Sequence, residues 1–174
     1  FNETLNLAQY YDGTGWKSLD SPPTVSAIAI DGRASGTSGY IDGSTSSTQT
    51  IIISGSLFDT ISASVTFEGT QGSTGTVTPL SITRDNSSQI TVTVNPSNFV
   101  EADDPYTVKV TNGSGLAGVL AQAIDVNVPP TFATAAGTIG STFETNTNFS
   151  NLSTVAATDV DNDPITHTIS AGSL

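Results

Sequence analysis

The stretch Asp103-Asp104-Pro105-Tyr106-Thr107-Val108-Lys109-Val110-Thr111-Asn112-Gly113-Ser114-Gly115 decides the fold. A proline-containing turn opens it, and an unbroken alternation follows. Tyr106, Val108 and Val110 point one way, while Thr107, Lys109 and Thr111 point the other. The stretch closes on Asn112-Gly113, a dipeptide suited to tight turns that need positive φ. A period of two with one apolar face is the pattern of a half-buried antiparallel strand. The same alternation recurs along the chain, which predicts an all-β protein.

Working outward, two Pro-Pro-Thr hinges frame this strand. Ser21-Pro22-Pro23-Thr24 precedes it and Val128-Pro129-Pro130-Thr131 follows it, bracketing a domain over 24–128 of ordinary β-sandwich size. Inside the bracket the pattern predicts strands at Val25–Ile30, Gln49–Ser54, Ala63–Phe67, Val77–Thr83, Gln89–Val94, Tyr106–Thr111 and Ala123–Val128. The inward set is Ile28 and Ile30; Ile51 and Ile53; Val65 and Phe67; Leu80 and Ile82; Ile90, Val92 and Val94; Tyr106, Val108 and Val110; and Ile124, Val126 and Val128. Ile51-Ile52-Ile53 breaks the alternation, as in a strand covered on both faces or meeting a neighbour. Asp31 to Thr48 is nearly all Gly, Ser, Thr and Asp, so it is expected to be a loop or an inserted hairpin centred on Tyr40.

Composition limits the function. Net charge is −12, and only four basic residues are present. A nucleic-acid backbone or an anionic membrane surface would be repelled, and no apolar run approaches a bilayer span. Thr (28) and Ser (23) supply hydroxyls that solvate the outer faces of sheets without adding charge. There is no Cys, so no disulfide framework and no thiolate site exists; this fits assembly in a reducing cytoplasm, or secretion without oxidative folding. There is also no Met, and the chain is expected to be a piece of a longer one.

Residues 1–20 read as a β-hairpin module. Leu5 and Leu7 share a face, Tyr10-Tyr11 ends the first strand, Asp12-Gly13-Thr14-Gly15 turns, and Trp16-Lys17-Ser18-Leu19 returns. Twenty residues cannot enclose a core, yet each ring buried is worth about 1.5–3 kcal/mol. Leu5, Leu7, Tyr10, Tyr11 and Trp16 are therefore the expected docking or oligomerisation surface. The simpler alternative is that the hairpin folds onto the following domain. Phe1-Asn2, Leu7 and Tyr11-Asp12-Gly13-Thr14-Gly15-Trp16-Lys17 together resemble a segment of tailed-bacteriophage fibre and appendage proteins. That resemblance implies a virion structural protein, held by other virion proteins or by copies of itself, with trimers the usual state.

The bracketed domain resembles the TIG (IPT) branch of immunoglobulin-like domains. Thr50-Ile51-Ile52-Ile53-Ser54-Gly55-Ser56-Leu57-Phe58, Val65-Thr66-Phe67-Glu68-Gly69, Gln89 through Pro96 and Tyr106 through Gly115 carry the likeness. Asp103-Asp104-Pro105 departs from that family's Pro-Gly. After the second hinge, 131–174 resembles the first half of a cadherin-like immunoglobulin repeat, through Ala157-Thr158-Asp159 and Ser170-Ala171-Gly172-Ser173-Leu174. The fold class expected is thus an N-terminal β-hairpin module followed by tandem immunoglobulin-like β-sandwiches.

Catalytic chemistry finds little footing. His167 is the only His, no nucleophile elbow exists, and Asp103-Asp104 is more simply a turn than an acid/base pair. Asp159, Asp161 and Asp163 have the spacing that opens an EF-hand, but Pro164 and Ser170 stand where that loop needs Gly and Glu. We therefore expect no catalytic residue, no cofactor and no resident metal. The expected role is a bacteriophage fibre, spike or similar appendage, with loops around Tyr40 and Gly69–Gly75 as contacts for a host glycan. A bacterial cell-surface adhesin with Ca²⁺-stabilised cadherin-like repeats is the alternative. A third is a carbohydrate-active enzyme of which this chain is a non-catalytic part.

Overall fold

The computed structural model describes residues 8–11, 13–18, 21–71, 75–132, 156–161 and 164–166. Two compact units are present, Phe1–Asn127 and Val128–Leu174. In the first, the strands are β1 (Gln9–Tyr11), β2 (Trp16–Ser18), β3 (Thr24–Ile30), β4 (Gly39–Asp42), β5 (Gln49–Ser56), β6 (Ser64–Gly69), β7 (Thr76–Val77), β8 (Ser81–Asn86), β9 (Gln89–Val94), β10 (Tyr106–Thr111) and β11 (Ala117–Asn127). The second contains β12 (Thr131–Phe132) and β13 (Ala157–Thr158). The protein is all-β, with helical structure among the described residues confined to 3₁₀ turns at Pro96–Asn98 and Glu101–Asp103.

Strands β3-β5-β9-β8 form one sheet of the first unit and β4-β11-β10-β6-β7 another, while β1 and β2 form a two-stranded sheet among the described residues. Neighbours within the two larger sheets are antiparallel except β4 and β11, which run parallel from Ile124↔Gly39 to Asn127↔Asp42. Alternate residues meet in a sandwich-like core: Ile28, Ile30, Ile51, Ile53, Ile90, Val92 and Val94 from the first sheet; Ile41, Val65, Phe67, Tyr106, Val108, Val110, Ile124 and Val126 from the second. Phe99 joins from a connection, its ring 5.4 Å from Phe67 and 5.0 Å from Tyr106.

Five expectations change. The single strand expected at Val77–Thr83 is two strands on different sheets, because Pro79 has no N–H to continue a ladder and the chain crosses there. Leu80, expected inside, is consequently exposed, and Ile82 is half-buried. The segment from Asp31 to Thr48 holds β4, whose Ile41 is fully buried, and is neither a free loop nor a hairpin. Val128 is only half-buried, since β11 ends at Asn127. Finally, positive φ falls on Gly115 (84°), not on Asn112-Gly113, because the turn is closed by Gly115 N donating to Asn112 O and Asn112 N to Leu116 O.

The chain passes through this sandwich from end to end. At one end Pro23 leads into β3 so close to β11 that a Cβ on Gly118 would lie 2.0 Å from the Pro23 carbonyl oxygen. At the other, Asn127 pairs with Asp42 and accepts a hydrogen bond from Gly43 N. Between them β11 carries a bulge: Tyr106 faces Ile124 but Val108 faces Leu120, and Gln122 takes φ 49°. Beyond the bulge β11 turns to pair with β4.

The second unit is described only in part. Thr131 and Phe132 pair with Thr158 and Ala157. Val128 N donates to Asp161 Oδ2 and Asp161 N to Asp159 Oδ1, which fastens the hinge to the Asp159–Asp161 turn. Ile165 and Thr166 are irregular.

Candidate functional site

The expected docking surface begins with the β1–β2 hairpin. Its register is Gln9↔Ser18, Tyr10↔Lys17 and Tyr11↔Trp16, and Gly13 supplies the positive φ (95°) that the turn needs. Tyr11 and Trp16 stand directly opposite each other, ring centroids 5.6 Å apart at 65°. This edge-to-face geometry adds about 0.5–1.5 kcal/mol beyond burial. Tyr11 is 57% exposed and Trp16 65% exposed. Their register makes them one aromatic patch with a phenol and an indole N–H as polar handles. Tyr10 is the middle residue of β1; its side chain, with Leu5 and Leu7, lies outside the described residues.

The two loops expected to touch glycans are less free. Tyr40 is 45% exposed, but the Arg33 guanidinium lies 4.1 Å from its ring centroid and covers one face. Arg33 Nη1 also donates to the Tyr40 carbonyl at 2.7 Å. Beyond them, the Ser44 hydroxyl, the Ser44 N–H and Arg33 together hold the Asp42 carboxyl below its ordinary range. The Gly69–Gly75 loop is pinned at its base, where Gly69 N donates to Gly75 O and Thr70 Oγ1 to Pro105 O. Its tip, 72–74, lies outside the described residues.

The acidic groups serve structure. Asp104 Oδ2 accepts from Val126 N at 3.1 Å, and Asp103 N donates to Val100 O, so this pair builds the turn before β10. Among the described residues no group of three acidic or His side chains is placed to hold a metal ion. Asp163 and His167 lie outside them. No protein-family model, curated protein or solved structure matches this chain.

A second structured surface escaped the pattern reading. At the end of the sandwich where Pro23 leads in, residues 57–63, 86–88 and 112–116 are tied together. Asn112, buried, donates from Nδ2 to Leu57 O at 2.7 Å and accepts at Oδ1 from Asp59 N at 2.9 Å. Phe58 N donates to Ser87 O, and Gly55 N to Ser88 O. The Ser62 hydroxyl and the N–H groups of Ile61 and Ser62 donate to the Asp59 carboxylate and, with the backbone N–H of Gly113 nearby, hold it below its ordinary value of 3.8. Leu57 (54% exposed, φ 59°) and Ile61 (84% exposed) project from this clamp. The sequence signal was the spacing of Asp59, Ser62 and Asn112, which hydropathy alternation does not register.

The sign of the Asp59 effect gives a prediction. A folded carboxylate with a depressed pKa contributes stability that is present above its unfolded value of 3.8 and is lost as pH falls through the lower folded value. Wild type should therefore melt above the Asp59→Asn variant near neutrality, with the gap closing in acid. Parallel thermal melts across an acid series check this, and a gap independent of pH would refute it.

Proposed function

We propose that the chain is a non-enzymatic structural component of a bacteriophage virion, part of a fibre, spike or similar appendage. In this reading residues 24–128 form an immunoglobulin-like spacer, and the N-terminal hairpin docks on other virion proteins or on copies of the same chain. The exposed Tyr11–Trp16 pair carries the reading. Two large rings that stay more than half exposed gain little where they stand, whereas aromatic residues are enriched at protein interfaces.

Three features of the sandwich support the spacer part. Its strand order, β3-β5-β9-β8 against β4-β11-β10-β6-β7, corresponds to the immunoglobulin arrangement with extra edge strands. Tyr106 opens β10 and bonds back through its hydroxyl to Val100, as the tyrosine corner of that fold does. The chain enters and leaves at opposite ends, which suits domains strung in series. The small share of charged residues, the many Ser and Thr and the absence of Cys fit a particle assembled in a host cytoplasm and then exposed.

Trp16→Ala is the direct test. In sedimentation velocity the parent should self-associate, or bind particle proteins, in a concentration-dependent way, and Trp16→Ala should weaken that association roughly tenfold or more, as loss of an aromatic anchor does. The stability of the sandwich should be unchanged. A strict monomer that binds no virion component, with Trp16 fluorescing as in water, would refute the docking role.

A further inference from the structure

Asn112-Gly113 is the single Asn-Gly pair in the chain. In open peptide such a pair modifies itself. The glycine nitrogen gives up its proton to solvent base and attacks the asparagine Cγ; the new N–Cγ bond forms, the Cγ–Nδ2 bond breaks, and ammonia leaves. Water then opens the five-membered imide at either carbonyl, giving aspartate or isoaspartate. No oxidant or cofactor takes part. Glycine speeds the attack because it has no side chain to hinder the approach.

Each participant is held away from that path. The Asn112 amide is buried and fixed at both ends, by Leu57 O at 2.7 Å and Asp59 N at 2.9 Å, so Cγ cannot rotate toward Gly113 N. The Asp59 carboxylate stands beside Gly113, its Oδ2 3.0 Å from where a Cβ would lie, and its negative charge opposes the anionic nitrogen the attack requires. Gly113 itself is packed so closely that an added Cβ would lie 2.2 Å from Ser62 Oγ, so the turn has no room to move toward the cyclic geometry. Release of the clamp frees all three at once.

We propose that Asn112 is a latent self-modification site, shielded by the Asp59–Ser62–Asn112 clamp and converted only from the state in which that end of the sandwich is open. The conversion does not reverse the way opening does. Aspartate has no donor for Leu57 O, and its new charge faces Asp59; isoaspartate also reroutes the backbone through Cγ. A chain that has opened long enough is thereby marked, and its loop cluster cannot close as before. Because the chemistry is slow beside local opening and closing, its rate reads the population of the open form.

The test holds the native protein in mildly alkaline buffer and follows the one-mass-unit gain and isoaspartate at residue 112 by peptide mapping. The same chain in denaturant serves as the reference. Folded protein should convert at least about tenfold more slowly than unfolded, each factor of ten reporting one decade of clamp closure. Ser62→Ala, which loosens Asp59 without touching Asn112, should convert faster than the parent while still folded. Equal rates for folded and unfolded chains would overturn the proposal, as would a folded Ser62→Ala variant that converts no faster. The Asp-Gly pairs at Asp12, Asp31 and Asp42 do not confuse the readout, since their isomerisation leaves the mass unchanged.

Discussion

Tyr106→Ala is expected to lower the stability of the sandwich by roughly 4–5 kcal/mol, a large fraction of the roughly 5–15 kcal/mol an ordinary domain possesses. The ring is 1% exposed and stacks edge-on against Phe99, so truncation leaves a cavity between sheet and connection. The hydroxyl adds a second loss. It accepts from Val100 N at 2.8 Å and donates to Val100 O at 3.3 Å, closing the loop that returns the chain to β10. Burial, with the nearby Asp103 and Asp104 charges, pushes the phenol above its ordinary range, so it remains a donor in any ordinary buffer. Tyr106→Phe isolates this part and should cost about 1–2 kcal/mol. Urea titrations of the two variants check both numbers. A phenylalanine variant as stable as the parent would mean that the hydroxyl contributes nothing, and an alanine loss below about 2 kcal/mol would place the ring outside the core.

Asn112→Ala should cost about 2–4 kcal/mol, although the residue belongs to a turn and not to a strand. The reason is what it leaves behind. Leu57 O and Asp59 N lose their partners, and the cost of a buried polar group without one exceeds the net gain of an ordinary hydrogen bond. Asn112→Asp should come close to the same loss, because it keeps the acceptor for Asp59 N but sets a carboxylate against Leu57 O and the Asp59 carboxylate. Thermal melts should fall by roughly 10–20 °C for Asn112→Ala. A drop of only a degree or two would show that the clamp relaxes without cost, and would also remove the physical basis for slow conversion at that residue.

Legibility in the sequence followed the physical signal each element carries. Strand β10 was plain because Tyr106, Val108 and Val110 alternate with polar residues and are all fully buried. Strand β4 was not, because it offers a single buried residue, Ile41, among glycines and hydroxyls, and pairs in parallel with a strand far along the chain. No local pattern encodes such a partner. Leu80 misled for the opposite reason: its place in an apparent alternation suggested burial, while the adjacent Pro79 had already ended the strand. At the candidate site, the Asp-Gly turn and its flanking rings were readable as a hairpin, and the structure brings Tyr11 and Trp16 face to edge. The Asn112 clamp was hidden because it joins three loops through side-chain amide and carboxylate groups, which have no periodicity. Asp103-Asp104-Pro105 forms the turn that delivers Tyr106 to its place, with Asp103 N donating to Val100 O and Asp104 Oδ2 accepting from Val126 N.

The parallel pairing of β4 with β11 has a mechanical consequence. A pull applied at Pro23 and Asn127 runs along the strands, so the bonds from Gly39–Asp42 to Ile124–Asn127 are loaded sideways and share the tension. Such a seam yields only when its bonds fail together, unlike a hairpin peeled open from one end. The bulge at Gln122 limits the seam to a few residues, making it the fuse of the sandwich under stretch.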